Sequence, residues 1–246
     1  MPDDRRDVPA SETPVCNMRG EQVALGPISP AHLPAMQRWF NDHDTLLTAG
    51  IGAMPWTLER LAAWRTDVTG SEEAAWFTIF QLPEFRQIGY AGLRSIDFES
   101  RSAEYAITIG EANARGQGLG TEVTRLMLAY AFEELGLESV SLDTVEYNQG
   151  ARRAYEKAGF REIGRRGRAE AMGGRLWDAI LMECVKPGTP SPPAPLPILG
   201  EGRTMATRDG DPVLFLVGER VGLGPASREQ MPSYQRWFND FQTMRT

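Results

Sequence analysis

Two hydrophobic patterns of different period meet near residue 115 of this 246-residue chain. Tyr105, Ile107 and Ile109 alternate with polar or small residues, which is typical of a strand whose two faces differ. Downstream, apolar residues recur every three or four positions and predict an amphipathic helix that ends near a glycine. They are Val123, Leu126, Met127, Tyr130, Ala131 and Leu135, followed by Gly136. The chain between the two patterns therefore turns from strand to helix.

The same two periods predict an α/β (α+β) fold in which helices are interspersed among strands. Strands are predicted near 21–26, at 75–81, 87–98, 102–110 and 138–146, and near 160–168 and 174–185. Helices are predicted at 30–42, near 57–67, from the turn at 115 to 135, and at 149–158. Trp39, Trp56, Trp64 and Trp76 are expected in the core, and Trp56 is also a candidate for the wall of a binding pocket.

The turn between strand and helix carries the first candidate chemistry. It runs Arg115-Gly116-Gln117-Gly118-Leu119-Gly120-Thr121. Its glycines let the backbone bend tightly and approach a ligand. The first helical turn adds unpaired N–H donors and the positive end of the helix dipole, so an anion such as phosphate is the expected ligand. Neither a P-loop nor the dinucleotide fingerprint fits, but the pattern R/Q-x-x-G-x-G/A does.

A second motif follows a strand-like run and spans residues 148–160. It has the pattern N-x-x-A-x-x-x-Y-x-x-x-G-F, with Asn148 and Tyr155 as its polar members. The two motifs, in this order, resemble those of the GNAT acetyltransferase superfamily. A third stretch, 173–182, is similar to the closing strands of the branch that contains ribosomal-protein N-terminal and spermidine acetyltransferases. The resemblance covers about residues 20–185.

This resemblance implies a mixed, mostly antiparallel sheet of six to seven strands, flanked by helices and splayed where acetyl-CoA enters. It also implies the residues that bind this cofactor. They are Ile109, Gly110, Glu111, Arg115, Gly116, Gln117, Gly118, Leu119, Gly120, Thr121, Asn148 and Tyr155. Tyr155 is the candidate general acid, since a phenol can share a proton with a departing thiolate. Tyrosine on an apolar helical stripe is also commonly a core residue.

Glu104 is the candidate general base, because it lies on the strand before the glycine turn and faces away from Tyr105. A solvated strand glutamate is the alternative interpretation. His43 is a second candidate base, with a surface histidine as its alternative. Glu111 either caps the turn or binds substrate, and Asn148 either caps the following helix or contacts the cofactor.

Composition and charge narrow the function classes. The two cysteines and two histidines argue against a disulfide framework, a metal site and a Ser-His triad. A net charge of −7 argues against a general nucleic-acid binder and is compatible with a cationic substrate. No apolar run is long enough for a membrane span, and no signal peptide is recognisable at Met1. We therefore expect a cytoplasmic protein.

The C-terminal part contains an internal repeat. Residues 20–48 align without gaps with residues 218–246, and sixteen of the 29 pairs are identical. The predicted organisation is a lead-in at 1–19, an acetyltransferase domain at 20–185, a proline-rich linker at 186–211 and a partial repeat at 212–246. The repeat has neither the glycine turn nor the Asn/Tyr helix. It indicates either truncation of a longer tandem protein or an arm that adds a strand and helix to another protomer or to the first domain.

The expected function is acetyl transfer from acetyl-CoA to a primary amine, of a protein N-terminus or a small molecule, by direct attack in a ternary complex. Neither nucleic acid nor membrane is an expected partner, and a homodimer is an open expectation. The rival hypothesis is a non-catalytic acyl-CoA-binding or scaffold protein with the same fold.

Overall fold

A computed structural model describes residues 13–49, 54–172 and 175–189, together with the backbone of two short strands further on. The chain divides into two compact units, Met1–Pro190 and Ser191–Thr246. In the second unit, Leu216–Val217 and Gly222–Leu223 pair as antiparallel strands. Otherwise the partial repeat, and the predicted linker beyond residue 189, lie outside the described residues.

The first unit is built around one eight-stranded sheet. Its strands are β1 (Met18–Arg19), β2 (Val23–Pro27), β3 (Ala75–Gln81), β4 (Arg86–Asp97), β5 (Ser102–Ile109), β6 (Ser139–Val145), β7 (Arg161–Met172) and β8 (Arg175–Val185). Its α-helices are α1 (Leu33–Phe40), α2 (His43–Ala49), α3 (Leu58–Thr69), α4 (Leu119–Ala129) and α5 (Gln149–Ala158). The strand order is β1-β2-β3-β4-β5-β6-β8-β7, and all neighbours are antiparallel except β5 and β6.

The mixed, mostly antiparallel sheet flanked by helices confirms the predicted fold class. The eighth strand is β1, which pairs with β2 over two residues and is too short to show a hydrophobic period.

The sheet opens between β5 and β6. These parallel strands pair only at Ser102, Ala103 and Glu104, opposite Ser139, Val140 and Ser141. From Tyr105 onward β5 pairs with β4 alone, up to Ile109. The second half of β5 therefore presents a backbone edge that has no partner in β6, at the point where the chain enters the glycine turn.

The helix predicted at 30–42 corresponds to a 3₁₀ turn, Pro30–His32, that leads into α1. A further helix, α2, starts separately at His43 and was not predicted. Asn41 and Asp42 separate α1 from α2. The Asn41 side chain bonds the backbone of Trp56 at 2.9 and 3.0 Å, while Asp42 Oδ2 accepts from Thr45 N at 2.9 Å, as an N-cap does.

Gly110, directly after β5, is required for packing. A Cβ atom at this position would lie 2.0 Å from the Trp39 ring, which is itself buried. We therefore expect Gly110→Ala to lower the free energy of unfolding by about 1–3 kcal/mol, because either the indole or the strand end must move. Denaturant titration measures this loss. Gly164→Ala is the matched control, since its Cβ would make an ordinary contact at 3.8 Å with Leu181; equal loss in both variants would contradict the packing argument.

Candidate active site

The glycine turn leads into α4 with left-handed backbone at two positions. Gly116 has φ +75° and Gly118, the N-cap of α4, has φ +84°, a region that favours glycine. Thr121 N and Glu122 N both bond the Gly118 carbonyl. Within the described part of the chain, the amides of Leu119 and Gly120 have no hydrogen-bond acceptor. The helix thus begins with exposed N–H donors, as an anion site requires.

Of these two residues, Gly120 borders a cavity of about 360 Å³ between the turn and α5, which we call the glycine-turn cavity. Eight of the predicted cofactor residues line it: Ile109, Arg115, Gly116, Gly118, Gly120, Thr121, Asn148 and Tyr155. Gly110, Glu111, Gln117 and Leu119 do not line it. Eight further lining residues were not predicted from the sequence: Ile107, Thr108, Ala114 and the α5 residues Gly150, Ala151, Arg153, Ala154 and Lys157. Arg153 and Lys157 are four residues apart on α5, a spacing that could have revealed a basic helical face.

Arg115 is directed partly into the protein. Its Nε donates to the Ile109 carbonyl at 2.8 Å, and its Nη2 donates to the Gly110 carbonyl at 3.1 Å and to Thr45 Oγ1 at 2.7 Å. The guanidinium therefore ties the end of β5 to α2. Its Nη1 has no acceptor among the described residues, so two donors remain for an anion.

The backbone amides after β5 are not equivalent. Gly110 N and Glu111 N both donate to the Ile88 carbonyl, at 2.8 and 3.1 Å, so they are already engaged. Alternation along the antiparallel ladder directs the amides of Ile107 and Ile109 away from β4, towards the opening between β5 and β6. Of the three predicted cofactor residues at the end of β5, Ile109, Gly110 and Glu111, only Ile109 directs its N–H towards the opening.

Glu111 anchors α1. Its Oε1 accepts from Arg38 at 2.7 Å and from Trp39 Nε1 at 3.0 Å. Glu111 precedes a 3₁₀ turn at Ala112–Ala114 but makes no side-chain cap bond there. Glu111 therefore does not cap this turn, and it lies outside the glycine-turn cavity.

Asn148 and Tyr155 both belong to α5. The Asn148 side chain caps the helix, accepting from Ala151 N at 3.1 Å. The Tyr155 ring is buried and packs edge-to-face against Tyr105, with ring centroids 6.4 Å apart. Burial, and secondarily the Asp143 carboxylate, raise the pKa of the Tyr155 hydroxyl above its ordinary value. Tyr155 is therefore protonated at neutral pH.

Tyr155 also lines a second cavity, of about 580 Å³, on the other side of the opening. We call it the aromatic cavity, since its walls include Phe40, Trp56, Trp64, Trp76 and Tyr90. The two cavities share Ile107, Thr108 and Tyr155. Of the four tryptophans expected in the core, only Trp39 is fully buried and outside both cavities; the other three are half-buried wall residues.

Asp143 is the residue of the aromatic cavity that sequence analysis missed. It is an exposed carboxylate on β6, and it makes no hydrogen bond or ion pair with a described residue. Asp143 lines the aromatic cavity together with Tyr155, and its carboxylate contributes to the raised pKa of the Tyr155 hydroxyl. Its position five residues before Asn148, in the strand that leads to the second motif, was the available signal.

Glu104 lies elsewhere. It pairs with Arg94 at 2.9 Å, with both side chains half-exposed, and it lines neither the glycine-turn cavity nor the aromatic cavity. Glu104 is the last residue of β5 that pairs with β6, so it precedes the opening. The structure does not bring Glu104 and Tyr155 into one cavity. His43 is exposed at the start of α2 and lines neither cavity.

The described ranges contain no group of three or more His, Cys, Asp or Glu side chains that could hold a metal ion. The helices placed by the structure are also too short or too polar to cross a bilayer.

Comparison with known proteins agrees with this geometry. Residues 22–161 match the acetyltransferase (GNAT) domain family. The human alpha/beta-tubulin-N-acetyltransferase 9 is 26% identical over 157 residues, covering 58% of this chain and 74% of that protein. Spermidine N-acetyltransferase from Vibrio cholerae, solved with CoA and spermine, superposes with a TM-score of 0.62 at 22% identity, covering 67% of this chain and 95% of that one. A GNAT-family acetyltransferase from Bacillus anthracis has a TM-score of 0.58 at 18% identity, covering 68% and 96%.

A family match over more than half of the chain is consistent with a sheet that opens beside a glycine turn, and with the two cavities that meet there. This chain belongs to the GNAT acetyltransferase family, whose members are acyltransferases that use acetyl-CoA as acetyl donor.

Proposed function

We propose that this protein transfers the acetyl group of acetyl-CoA directly to a primary amine, with the cofactor in the glycine-turn cavity and the amine in the aromatic cavity. One observation carries the proposal: the Tyr155 side chain lines both cavities. Two ligands that occupied these spaces would meet beside its hydroxyl. Positioning two reactants in this way makes a bimolecular step effectively unimolecular.

The residues of the glycine-turn cavity fit the diphosphate of coenzyme A. The Gly120 amide supplies a donor at a helix N-terminus, where the dipole favours negative charge. Arg153 and Lys157 line the same cavity and form no ion pair with a described residue, so they can hold further phosphate oxygens. Asn148 and Tyr155 stand at the far end, where the pantetheine arm and sulfur would come.

Residues of this chain would then carry out the proton transfers and the charge stabilisation of the reaction. When bound, acetyl-CoA supplies an activated thioester. Asp143 accepts the proton of the acceptor ammonium, directly or through water, and so frees the nitrogen lone pair for attack. The amides of Ile107 and Ile109 face the opening, where they stabilise developing charge on a carbonyl oxygen. Tyr155 donates its proton to the thiolate as the C–S bond breaks, and the proton that the attacking nitrogen loses as the amide forms restores the Tyr155 hydroxyl.

The acceptor is proposed to be a primary amine of a protein N-terminus or a small molecule. The relatives described above carry the names of tubulin and spermidine N-acetyltransferases, so the names of similar proteins include both a protein and a small-molecule acceptor. A non-catalytic acyl-CoA-binding protein remains the rival. It is disfavoured by the second cavity, which a scaffold does not need.

Gly120→Ala tests the proposed cofactor site without harming the fold. No atom lies within 4 Å of a Cβ at this position, and alanine favours a helix over glycine by up to about 1 kcal/mol. We expect an unchanged or higher melting temperature but a CoA dissociation constant about 10–100-fold higher, because the added methyl group enters the space proposed for the diphosphate. Isothermal titration calorimetry measures both proteins.

Gly164→Ala is the matched control, since this glycine lies on β7 and lines neither cavity. Its CoA affinity is expected to equal that of the wild type. Wild-type affinity in Gly120→Ala would place the cofactor elsewhere. CoA binding by the wild type, without thiol release on any amine, would favour the scaffold protein instead.

A further inference from the structure

We infer that the aromatic cavity selects a primary amine carried on an aromatic stem, in preference to a linear polyamine or an unsubstituted short alkylamine. This inference rests on the proposed function, because it assumes that the acceptor occupies the aromatic cavity. It concerns the aromatic side chains Phe40, Trp56, Trp64, Trp76 and Tyr90 of that cavity, which the transfer chemistry itself does not use.

The walls form one connected set of rings. Phe40 contacts Trp56 with centroids 4.7 Å apart and stacks on Tyr90 at 5.3 Å. Trp64 meets Trp76 edge-to-face at 5.4 Å, with an angle of 71° between the ring planes. Phe40 and Tyr90 are the buried members of this set. The three tryptophans are half-buried and line the cavity, so their indoles supply its apolar surface.

Such a surface favours a flat apolar body. Aromatic rings pack edge-to-face or offset-stacked, and the angle between Trp64 and Trp76 offers a third ring both kinds of contact. The cavity volume of about 580 Å³ is within the range of small-molecule sites. A short alkylamine would leave most of this apolar surface wet.

The charges around the cavity argue against a polycation. Only two carboxylates line it, Glu73 and Asp143, and Asp143 is committed to the reacting ammonium next to Tyr155. Arg94 is also a lining residue, with its charge paired to Glu104, while Arg60 lies over the Trp56 ring without lining the cavity. Among the described residues, Glu73 is therefore the one lining carboxylate left for the further ammonium groups of a polyamine. One amine on a neutral stem matches the arrangement better.

The test is a comparison of kcat/KM for phenethylamine, tryptamine, propylamine, spermidine and a short peptide with a free N-terminus, followed by thiol release from acetyl-CoA. We expect the two arylalkylamines to exceed propylamine and spermidine by about 10–100-fold, the range that burial of one ring implies. If spermidine or the peptide is the best substrate, the inference is wrong and the proposed function stands. If no amine releases thiol although CoA binds, the proposed function fails.

Variants of Trp64 test the wall itself. We expect Trp64→Ala to raise KM for phenethylamine about 10-fold or more while changing that for propylamine less than twofold, and Trp64→Phe to restore most of the loss. Leu176→Ala, an exposed residue outside both cavities, is the control and should behave as the wild type. Equal loss on both amines in a Trp64→Ala protein with wild-type melting temperature would show that the ring does not contact the stem. If Trp64→Ala does not fold, Trp64→Phe and the amine series still decide.

Discussion

Replacing Tyr155 with phenylalanine is expected to lower kcat by about 10²–10⁴-fold, because the variant loses the one hydroxyl proposed to protonate the departing thiolate. The lower end of this range is favoured. Burial and the Asp143 carboxylate raise the pKa of the hydroxyl, which keeps the proton in place at neutral pH but also makes Tyr155 a weaker acid than a free phenol. Steady-state thiol release at saturating acetyl-CoA and amine measures the effect.

The fold should tolerate this change. The ring remains to pack against Tyr105 and Phe160, at 6.4 and 5.9 Å between centroids. The hydroxyl makes no hydrogen bond to a described residue, so none is lost. Tyr130→Phe is the matched control, since Tyr130 is partly buried against Phe77 and lines neither cavity. A loss below twofold in a folded Tyr155→Phe protein would remove Tyr155 from the mechanism.

Local signals in the sequence were enough to place most elements. β3 and α5 have the bounds that were predicted, Ala75–Gln81 and Gln149–Ala158. In α5, hydrophobic period and helix ends agree: the Asn148 side chain caps the start, and Gly159 ends the helix with φ +114°. The glycine turn was also predictable, because left-handed backbone at Gly116 and Gly118 is a local requirement.

Features that depend on distant pairing were not predictable. The helix α2 was not predicted, and its separation from α1 rests on Asn41, which bonds Trp56 fifteen residues away. One of the inward bonds of Arg115 reaches Thr45, seventy residues earlier. Neither contact has a periodic signature, so sequence patterns indicated no second helix after residue 42 and an Arg115 side chain available to phosphate.

The choice of base illustrates the same limit. Alternation along β5 shows which side chains share a face, but it does not show where β5 and β6 separate. The separation begins just after Glu104, so this carboxylate stays at the paired end of the strand while Asp143 on β6 reaches the aromatic cavity. The base predicted from sequence was Glu104, and that assignment stays a prediction; the geometry favours Asp143.

Asp143→Asn and Glu104→Gln therefore form a matched pair of variants that keep side-chain size and remove one carboxylate each. We expect Asp143→Asn to lower kcat/KM for the amine by about 10²–10⁴-fold near neutral pH, as loss of a general base implies. Glu104→Gln should lose less than twofold, since Glu104 itself lines neither cavity and its pair with Arg94 is half-exposed and therefore weak. The ratio of wild-type to Asp143→Asn activity should fall as pH rises towards the pKa of the amine, which is about 8 for an α-amino group and about 10 for an alkylamine. At such a pH the amine is already neutral in solvent, so the carboxylate is no longer needed to remove its proton. A pH-independent ratio would mean that Asp143 positions the amine without accepting its proton, and a larger loss in Glu104→Gln than in Asp143→Asn would restore Glu104 as the base.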